Sequence, residues 1–348
     1  MTSAPIDGFS AGDGHPGAEG RPDHEVRLPD VPALGALYRR AVPAAVRLAA
    51  ARRAGRGAVT LPAVAYRVRG LRTDADRLTA YQHLVGESAL DTLPAGFVHV
   101  LAFPVATALM VRDDFPLPLL GLVHLANEVQ QRSALRVDDE LEVVAWARAL
   151  TPHRSGTQVQ LVAQVRRTGD GDGPPAWQGV STYLARGVRL VGAGDEPGER
   201  QAGDEPRERE ASDKKSGERE AFVAPEPTGA WHLAADTGRR YAAVSGDVNP
   251  IHLSAATARP FGFRRAIAHG MYTAARALAD VGAARGEAYT WSAHFDSPVL
   301  LPSTVAVRHA VQRGNHAVTV WTPGRDRAHL RVEVVRGAAP APAPEETP

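Results

Sequence analysis

The stretch Tyr241-Ala-Ala-Val-Ser-Gly-Asp-Val-Asn-Pro-Ile-His252 decides how this chain is read. Gly246-Asp247 ends a short helix and Asn249-Pro250 makes a turn, because these residue types favour helix ends and tight bends. The bend sets Asp247 and His252 on either side of it, so their side chains can converge. A carboxylate and an imidazole that share one water can activate it and shuttle its protons. Asn249 can bond locally and fix the bend. Alone, a Gly-Asp followed by Asn-Pro is an ordinary turn, and a nearby histidine is usually structural. The chemical reading needs a downstream partner.

That partner is Ala268-His269-Gly270-Met271. A helix opens here, with Met271, Ala274, Ala275, Leu278 and Val281 on one face. Its many alanines let a sheet pack closely around it. The unpaired amides at a helix N-terminus attract developing negative charge. Gly270 lets an acyl carbonyl approach the backbone, or simply permits tight helix–strand packing; both roles can hold together.

Moving outward, the chain echoes itself. Tyr81-Gln-His-Leu-Val-Gly86-Glu87 matches Tyr241 to Asp247 in the placement of Tyr, Gly and acid. Each closes a short helix opened by a cap-like cluster, Thr73/Asp74 or Asp236/Thr237. Alternating segments come next: Leu141 to Ala147 and Val159 to Val165 in one half, then Val305 to Val311, Ala317 to Trp321 and Leu330 to Val335 in the other. They read as strands. Each half is thus a strand-poor, helix-bearing start followed by an antiparallel meander. The fold class expected is α+β, one long helix wrapped by a curved sheet, twice over.

The boundary between the halves is Gly192 to Glu220, where Ala193-Gly-Asp-Glu-Pro197 repeats as Ala202-Gly-Asp-Glu-Pro206. Dense mixed charge without large apolar residues cannot offset the entropy of ordering. The organisation expected is therefore a disordered 1–30, an N-half at 58–190, a flexible linker at 191–225, a C-half at 226–337 and a tail at 338–348. Between the first two, Val31 to Ala54 reads as a helix with Leu34, Leu37, Tyr38 and Val42 on one face, broken or kinked at Pro43.

Composition narrows the function. A formal net charge of +1 gives no field that would suit nucleic acid. The absence of cysteine excludes disulfides, thiolate metal sites and a cysteine nucleophile. No apolar run is long enough to span a bilayer and the N-terminus is unlike a secretory signal, so a cytoplasmic location is expected.

Tyr241 to His252, an aromatic residue followed by S-G-D-x-N-P-aliphatic-H, resembles the signature of the MaoC-like dehydratases, and the H-G-M step at 269–271 follows at that family's usual distance. The resemblance covers about 228–336 well. The whole chain, including Pro32 to Tyr38 and the charged linker, looks like the two-domain dehydratases of mycobacteria and their relatives. The resemblance implies two hot-dog domains. It implies reversible hydration of trans-2-enoyl thioesters, on CoA or acyl carrier protein, to (R)-3-hydroxyacyl thioesters, with no metal or redox cofactor. It makes Asp247 and His252 the acid/base pair, gives Asn249 a supporting role and faces the Gly270 amide to the thioester oxygen. The expected partner is an acyl-CoA or acyl carrier protein thioester; homodimerisation stays open.

The N-half departs from the pattern. Glu87 holds the acid's place, Thr92 stands where the histidine would be, and Phe103-Pro104 stands roughly where His269-Gly270 would be. A degenerate half that shapes the acyl pocket is expected, with Phe97, Val98, Leu101, Phe103 and Val105 as candidate lining. Arg259, Arg264 and Arg265 are candidates for the phosphates of CoA or phosphopantetheine, against the plainer reading of solvated arginines. His309, His316 and His329 read as surface residues. Two rival functions share the fold: an acyl-thioesterase and a non-catalytic acyl-thioester-binding subunit.

Overall fold

The computed structural model describes residues 20–54, 57–171, 173–190, 222–325 and 327–337. The charged segment Gly192 to Glu220, the tail 338–348 and residues 1–19 lie outside them.

Two units of identical topology make up the protein. The first runs β2 (Ala65–Arg72), α2 (Ala75–Val85), α3 (Ala95–Met110), β3 (Leu122–Gln131), β4 (Glu140–His153), β5 (Gly156–Arg167) and β6 (Trp177–Arg186). The second runs β7 (Gly229–Leu233), α4 (Thr237–Ser245), α6 (Gly270–Val281), β8 (Tyr289–Phe295), β9 (Ser303–Gln312), β10 (Asn315–Trp321) and β11 (Ala328–Arg336), with the four-residue α5 (Ala255–Ala258) between α4 and α6. Strand order is β2-β4-β5-β6-β3 in one unit and β7-β9-β10-β11-β8 in the other. Strands β3 and β8 pair antiparallel from Ala126↔His294 to Gln131↔Tyr289, so both units share one eleven-stranded sheet completed by β1 (Glu25–Arg27). This is a double hot-dog fold, with α3 and α6 as the wrapped helices.

The two central helices bury themselves differently. In α3 every residue except Phe103 is buried, as expected of a helix apolar all round. In α6 the face predicted from sequence, Met271, Ala274, Ala275, Leu278 and Val281, is buried, and Tyr272, Thr273 and Ala277 are buried with it. The helices meet where Gly96 faces the Ala275 methyl, a separation that leaves no room for a larger side chain. Around this point Tyr81 and Tyr241 approach to 6.3 Å between ring centres, the two echo tyrosines meeting across the pseudo-two-fold. Gly86 and Gly246 end α2 and α4 at φ 78° and 77°, so the faint sequence repeat is a repeat of structure.

Several expectations need correction. Residues 20–30 are not disordered: Glu25–Arg27 pairs in parallel with Ala65–Arg67, and Arg67 binds both Glu25 and Glu142. The composition hid a strand that one arginine and two carboxylates hold. Each half starts with a strand rather than a helix. β2, between β1 and β4, alternates apolar residues with arginines, and β7 is only five residues long. Helix α1 (Leu34–Arg53) continues through Pro43, and its buried face ends in Ala41, leaving Val42 56% exposed. His316 is buried and bonds His309 across the strand pair at 3.0 Å. Among the described residues no helix is long and apolar enough to cross a membrane.

Candidate active site

The two units differ most in the connection between their helices. In the N-half it is the short 87–94; in the C-half it is 247–269, which carries a 3-10 turn (Pro250–His252) and α5. Local bonds shape the longer segment. The Ser245 hydroxyl donates to the Tyr241 carbonyl at 2.8 Å and accepts from the Asp247 amide at 3.1 Å. The Asn249 amide donates to Asp247 Oδ1 at 3.2 Å, and Asn249 Oδ1 caps the 3-10 turn by accepting from the Ile251 amide at 3.4 Å. Ser254 caps α5, and the Thr257 hydroxyl donates back to the Pro250 carbonyl at 2.7 Å. Gly238 on α4 lies against this turn: a Cβ there would sit 2.0 Å from the His252 carbonyl oxygen.

The predicted bend therefore forms, and it brings a third ring with it. His252 Nδ1 lies 2.9 Å from the Ile267 carbonyl oxygen. A carbonyl only accepts, so Nδ1 carries the proton and Nε2 presents a lone pair. His269 Nε2 lies 3.0 Å from the Asp247 carbonyl oxygen and 3.7 Å from Asp247 Oδ2. By the same reasoning Nε2 donates, and Nδ1 is left buried without a partner among the described residues. The two imidazoles stack at 3.7 Å with 24° between their planes. From the N-terminal segment, Tyr38 on α1 donates its hydroxyl to Asp247 Oδ1 at 2.6 Å, the short distance of a charge-assisted bond.

Electrostatics follow from this packing. Burial pushes the His252 imidazole down to about 3, helped by His269 and opposed by Asp247. His269 is lowered by burial too, against the pull of Asp247. Burial works to raise the Asp247 carboxyl, but the two histidines, the Tyr38 hydroxyl and the Asn249 amide outweigh it and hold the carboxyl below its usual range. At neutral pH the site is an ionised carboxylate beside two neutral imidazoles.

Ligand atoms of Asp247, His252 and His269 lie within 4.8 Å of one another. The stacked rings argue against shared chelation: a metal lies in the plane of each imidazole that binds it, and planes this close and nearly parallel do not converge within coordination distance. Groups this close can share one water, whose hydrogen bonds are about 2.8 Å each. The arrangement suits proton exchange with a bound water.

Gly270 is the first residue of α6, and a Cβ there would meet the Phe295 ring at 3.0 Å. Close packing thus requires glycine whatever else its amide does. Arg259, Arg264 and Arg265 are exposed, and Arg265 donates to the Pro302 carbonyl at 3.0 Å. Phe97 is core, fully buried against Tyr81 with 5.1 Å between ring centres. Phe103, with His99, Ala102, Ala106, Trp177 and Tyr183, surrounds a small cavity of about 10 Å³ between α3 and β5–β6. Sequence reasoning does not reach the roles of Tyr38 and His269. His269 stands in the His-Gly step, and Tyr38 has only its place on a helix face.

The N-half counterpart is built for another purpose. Glu87 follows Gly86 as Asp247 follows Gly246, but its carboxylate pairs with Arg285 at 2.6 Å, both side chains largely buried. Thr92 makes an isolated bridge to Arg136, as Ile267 does to Leu300. The equivalent of His269-Gly270 is Pro94-Ala95, at the start of α3, and not Phe103-Pro104, which lies in mid-helix. Pro104 marked a false boundary: the helix continues through it within an all-apolar sequence that has no period to reveal where it begins.

A double hot-dog with an Asp–His pair on an inter-helix loop defines a class, and comparison with known proteins agrees. The MaoC like domain family matches residues 217–322. The 3-hydroxyacyl-thioester dehydratase X of Mycobacterium tuberculosis is 31% identical over 275 residues, 79% of this chain and 90% of that protein. The crystal structure of HtdX from the same organism superposes with a TM-score of 0.64 at 30% identity, covering 79% of this chain and all of the other. A MaoC-like dehydratase from Phytophthora capsici, 19% identical, shares the fold with a TM-score of 0.55 over 78% of this chain and 95% of its own. The chain belongs to the MaoC-like dehydratase family.

Proposed function

We propose that this protein is a hydro-lyase that interconverts trans-2-enoyl thioesters and (R)-3-hydroxyacyl thioesters. The observation that carries the reading is the ionised Asp247 beside a neutral His252 with its Nε2 lone pair free, both on the inter-helix loop that is much shorter in the N-half.

In the hydration direction a water sits between Asp247 and His252. Its oxygen adds to C3 of the enoyl group while the pair takes one of its protons. Electrons move through C2 to the thioester oxygen, and the pair returns one proton to C2, so protons balance over the cycle. The developing oxyanion lies at the N-terminus of α6, where the Gly270 amide has no intrahelical acceptor and the helix dipole is favourable. Asn249 acts on Asp247 through the backbone turn. Tyr38 and His269 are positioning residues: Tyr38 holds Oδ1, and His269 holds the Asp247 carbonyl and stacks beneath His252. No residue here calls for a metal or redox group. The substrate is a thioester of CoA or acyl carrier protein, handled in the cytoplasm, with one site per chain; the cavity beside Phe103 is the near part of the acyl pocket.

Incubation with crotonyl-CoA and longer enoyl-CoAs tests this. Loss of enone absorbance without thiol release is expected. Thiol release would identify a thioesterase instead, and binding of several acyl lengths without turnover would identify a non-catalytic carrier.

A further inference from the structure

We infer that the face around the 253–266 loop is a docking surface for an acidic carrier protein, so that the acyl thioester arrives on a carrier and not as free CoA. This rests on the thioester reading above and names the partner of that site.

The proton chemistry uses only the two ends of this loop. The Ile267 amide donates to the Ile251 carbonyl at 3.1 Å, and the Ile267 carbonyl accepts from His252 Nδ1 at 2.9 Å. The chain thus leaves at His252 and returns to it, closing a neck beneath the excursion. Beyond the neck it reads Arg259-Pro-Phe-Gly-Phe-Arg-Arg265, and the short 87–94 connection of the N-half has no counterpart to this string. Neither the shared sheet nor the proton transfers require these side chains.

The surface they present is one-sided in charge. Arg259, Arg264 and Arg265 are exposed, as are Arg239 and Arg240 on α4. Arg239 donates across to the Leu253 carbonyl at 3.1 Å, so α4 and the loop share a face. On the other side of Asp247, the exposed Arg39 of α1 lies beside Val248: a Cβ on Gly35 would stand 3.7 Å from the Arg39 guanidinium and 3.9 Å from Val248. None of these six arginines forms an ion pair among the described residues. Between Asp236 and Asp280 the one acid is Asp247 itself, and α1 has none. In the N-half, by contrast, Arg21, Arg67 and Arg69 are matched by Glu25 and Glu142. A chain of formal net charge +1 therefore gathers unmatched positive charge around its catalytic loop.

Two apolar side chains sit in this field, Val248 at 38% exposure and Phe261 at 36%. An aromatic contact among arginines is the composition of a protein interface, where both residue types are enriched. Free CoA asks for a different layout, with cations converging on its phosphates and a cleft around its nucleotide. Here the cations are spread over α1, α4 and the loop, and each is exposed. The site also opens on this face, since Asp247 keeps 18% of its side chain exposed and Val248 follows it. The phosphopantetheine arm of a carrier seated here enters beside Val248.

The test uses the full-length protein and one acyl group, trans-2-decenoyl, carried either on CoA or on an acidic bacterial acyl carrier protein. Arg259 and Arg264 are exposed and hold no side-chain hydrogen bond among the described residues, so the double variant Arg259→Glu/Arg264→Glu should melt like wild type. It is expected to lower kcat/KM for the carrier-borne substrate about tenfold or more, because like charges then face each other across the interface. The CoA ester should stay within about twofold. Equal losses on both substrates would put the CoA phosphates on these arginines and overturn carrier docking, as would an unchanged carrier rate. Added salt on the wild type is an independent readout: the carrier rate should fall more steeply than the CoA rate, and equal slopes count against docking. If neither thioester is hydrated, the hydro-lyase reading fails instead, and calorimetric binding of decanoyl carrier protein decides the surface. Affinity weakened about tenfold or more by the double variant supports it; equal affinity, or no binding to the wild type, overturns it.

Discussion

Residues 86–94 and 246–269 occupy the same position in the fold and do opposite things with it. Each begins with a left-handed glycine closing a helix, then an acid. In the C-half the acid's partners are a tyrosine hydroxyl and a backbone amide, both neutral donors, beside two neutral imidazoles. Its charge stays available. In the N-half the acid meets a guanidinium and is spent on an ion pair that locks the end of α2 to the end of α6. The converse tie is Arg77 of α2, which donates to the Val244 carbonyl at 2.7 Å and the Ser245 carbonyl at 3.3 Å, fixing the end of α4 just before Asp247. One half anchors and the other reacts. An acid becomes a reagent here by lacking a cation, and by a loop long enough to return a histidine to it.

The largest expected effect breaks the reactive side of this contrast. Asp247→Asn and His252→Ala should each lower kcat/KM for enoyl-thioester hydration by about two to four orders of magnitude, the range of a lost general acid or base. His252 is buried and stacks on His269, so circular dichroism and melting temperature are measured with the rates to show that each variant is folded. A folded variant with near-wild-type turnover would remove the residue from the mechanism.

A smaller loss is expected where geometry is disturbed and chemistry is kept. Gly238→Ala forces a methyl against the His252 carbonyl, 2.0 Å away, so the turn must shift. Overpacking of this kind costs about 1–3 kcal/mol, and kcat should fall by roughly tenfold or more because misplacement by about 1 Å is costly to reaction geometry. Tyr38→Phe should lower kcat by about tenfold through loss of the charge-assisted bond to Asp247. Both variants should leave KM for short substrates within a few-fold. A KM effect without a kcat effect would make Tyr38 a substrate-binding residue.

Separation along the chain governs how much of this is legible in sequence. Asp247, Asn249, His252 and Gly270 lie within one short stretch whose turn chemistry is local, so their convergence can be read directly. Tyr38 arrives from 209 residues upstream, and no local pattern joins it to Asp247. His269 is visible as a residue, but its role depends on which carbonyl its ring meets. Phe97 and Phe103 look alike in sequence, yet one packs under Tyr81 and the other borders a cavity. Strands β4, β5, β9, β10 and β11 announce themselves by alternation, whereas β6, β3 and β8, at the middle of the sheet, do not. The outer strands β1 and β7, three and five residues long, and β2, which alternates apolar residues with arginine, do not either.

Acid should unravel both halves. Burial lowers His99 to about 4 and His124 to about 3 in the N-half, and His252 to about 3 in the C-half, all from 6.5. Below pH 6.5 the unfolded chain binds these protons and the folded protein refuses them, so stability is lost as pH falls from about 6.5 toward 4 and is unaffected above. Each such histidine contributes a slope of about 1.4 kcal/mol per pH unit in that window. Melting temperature measured from pH 7.5 to 4.5 should fall progressively. His99→Gln should flatten the fall without touching the catalytic loop, and a profile identical to wild type would mean that His99 does not resist protonation.

The smallest effect on turnover, and the sharpest test of the contrast, is expected at Glu87. Its position relative to the helix end is that of Asp247, so a reading from sequence position alone would make Glu87→Gln as damaging as Asp247→Asn. The contacts say otherwise. Glu87 Oε1 accepts from Arg285 at 2.6 Å, and Arg285 also donates to the Leu278 and Gly282 carbonyls at the end of α6. Glutamine keeps an oxygen that can accept from Arg285 but loses the charge. The expected loss is about 1–3 kcal/mol of stability, below the cost of removing one partner of a buried pair outright. Hydration of short enoyl thioesters should stay within twofold of wild type, because Arg285 lies at the opposite end of α6 from Gly270. Denaturant unfolding and initial rates on the same preparation separate the two quantities. A stability loss with intact turnover fits an anchor. A large drop in kcat with unchanged stability would mean that the N-half acid takes part in the reaction, and the division of labour between the halves would have to be abandoned.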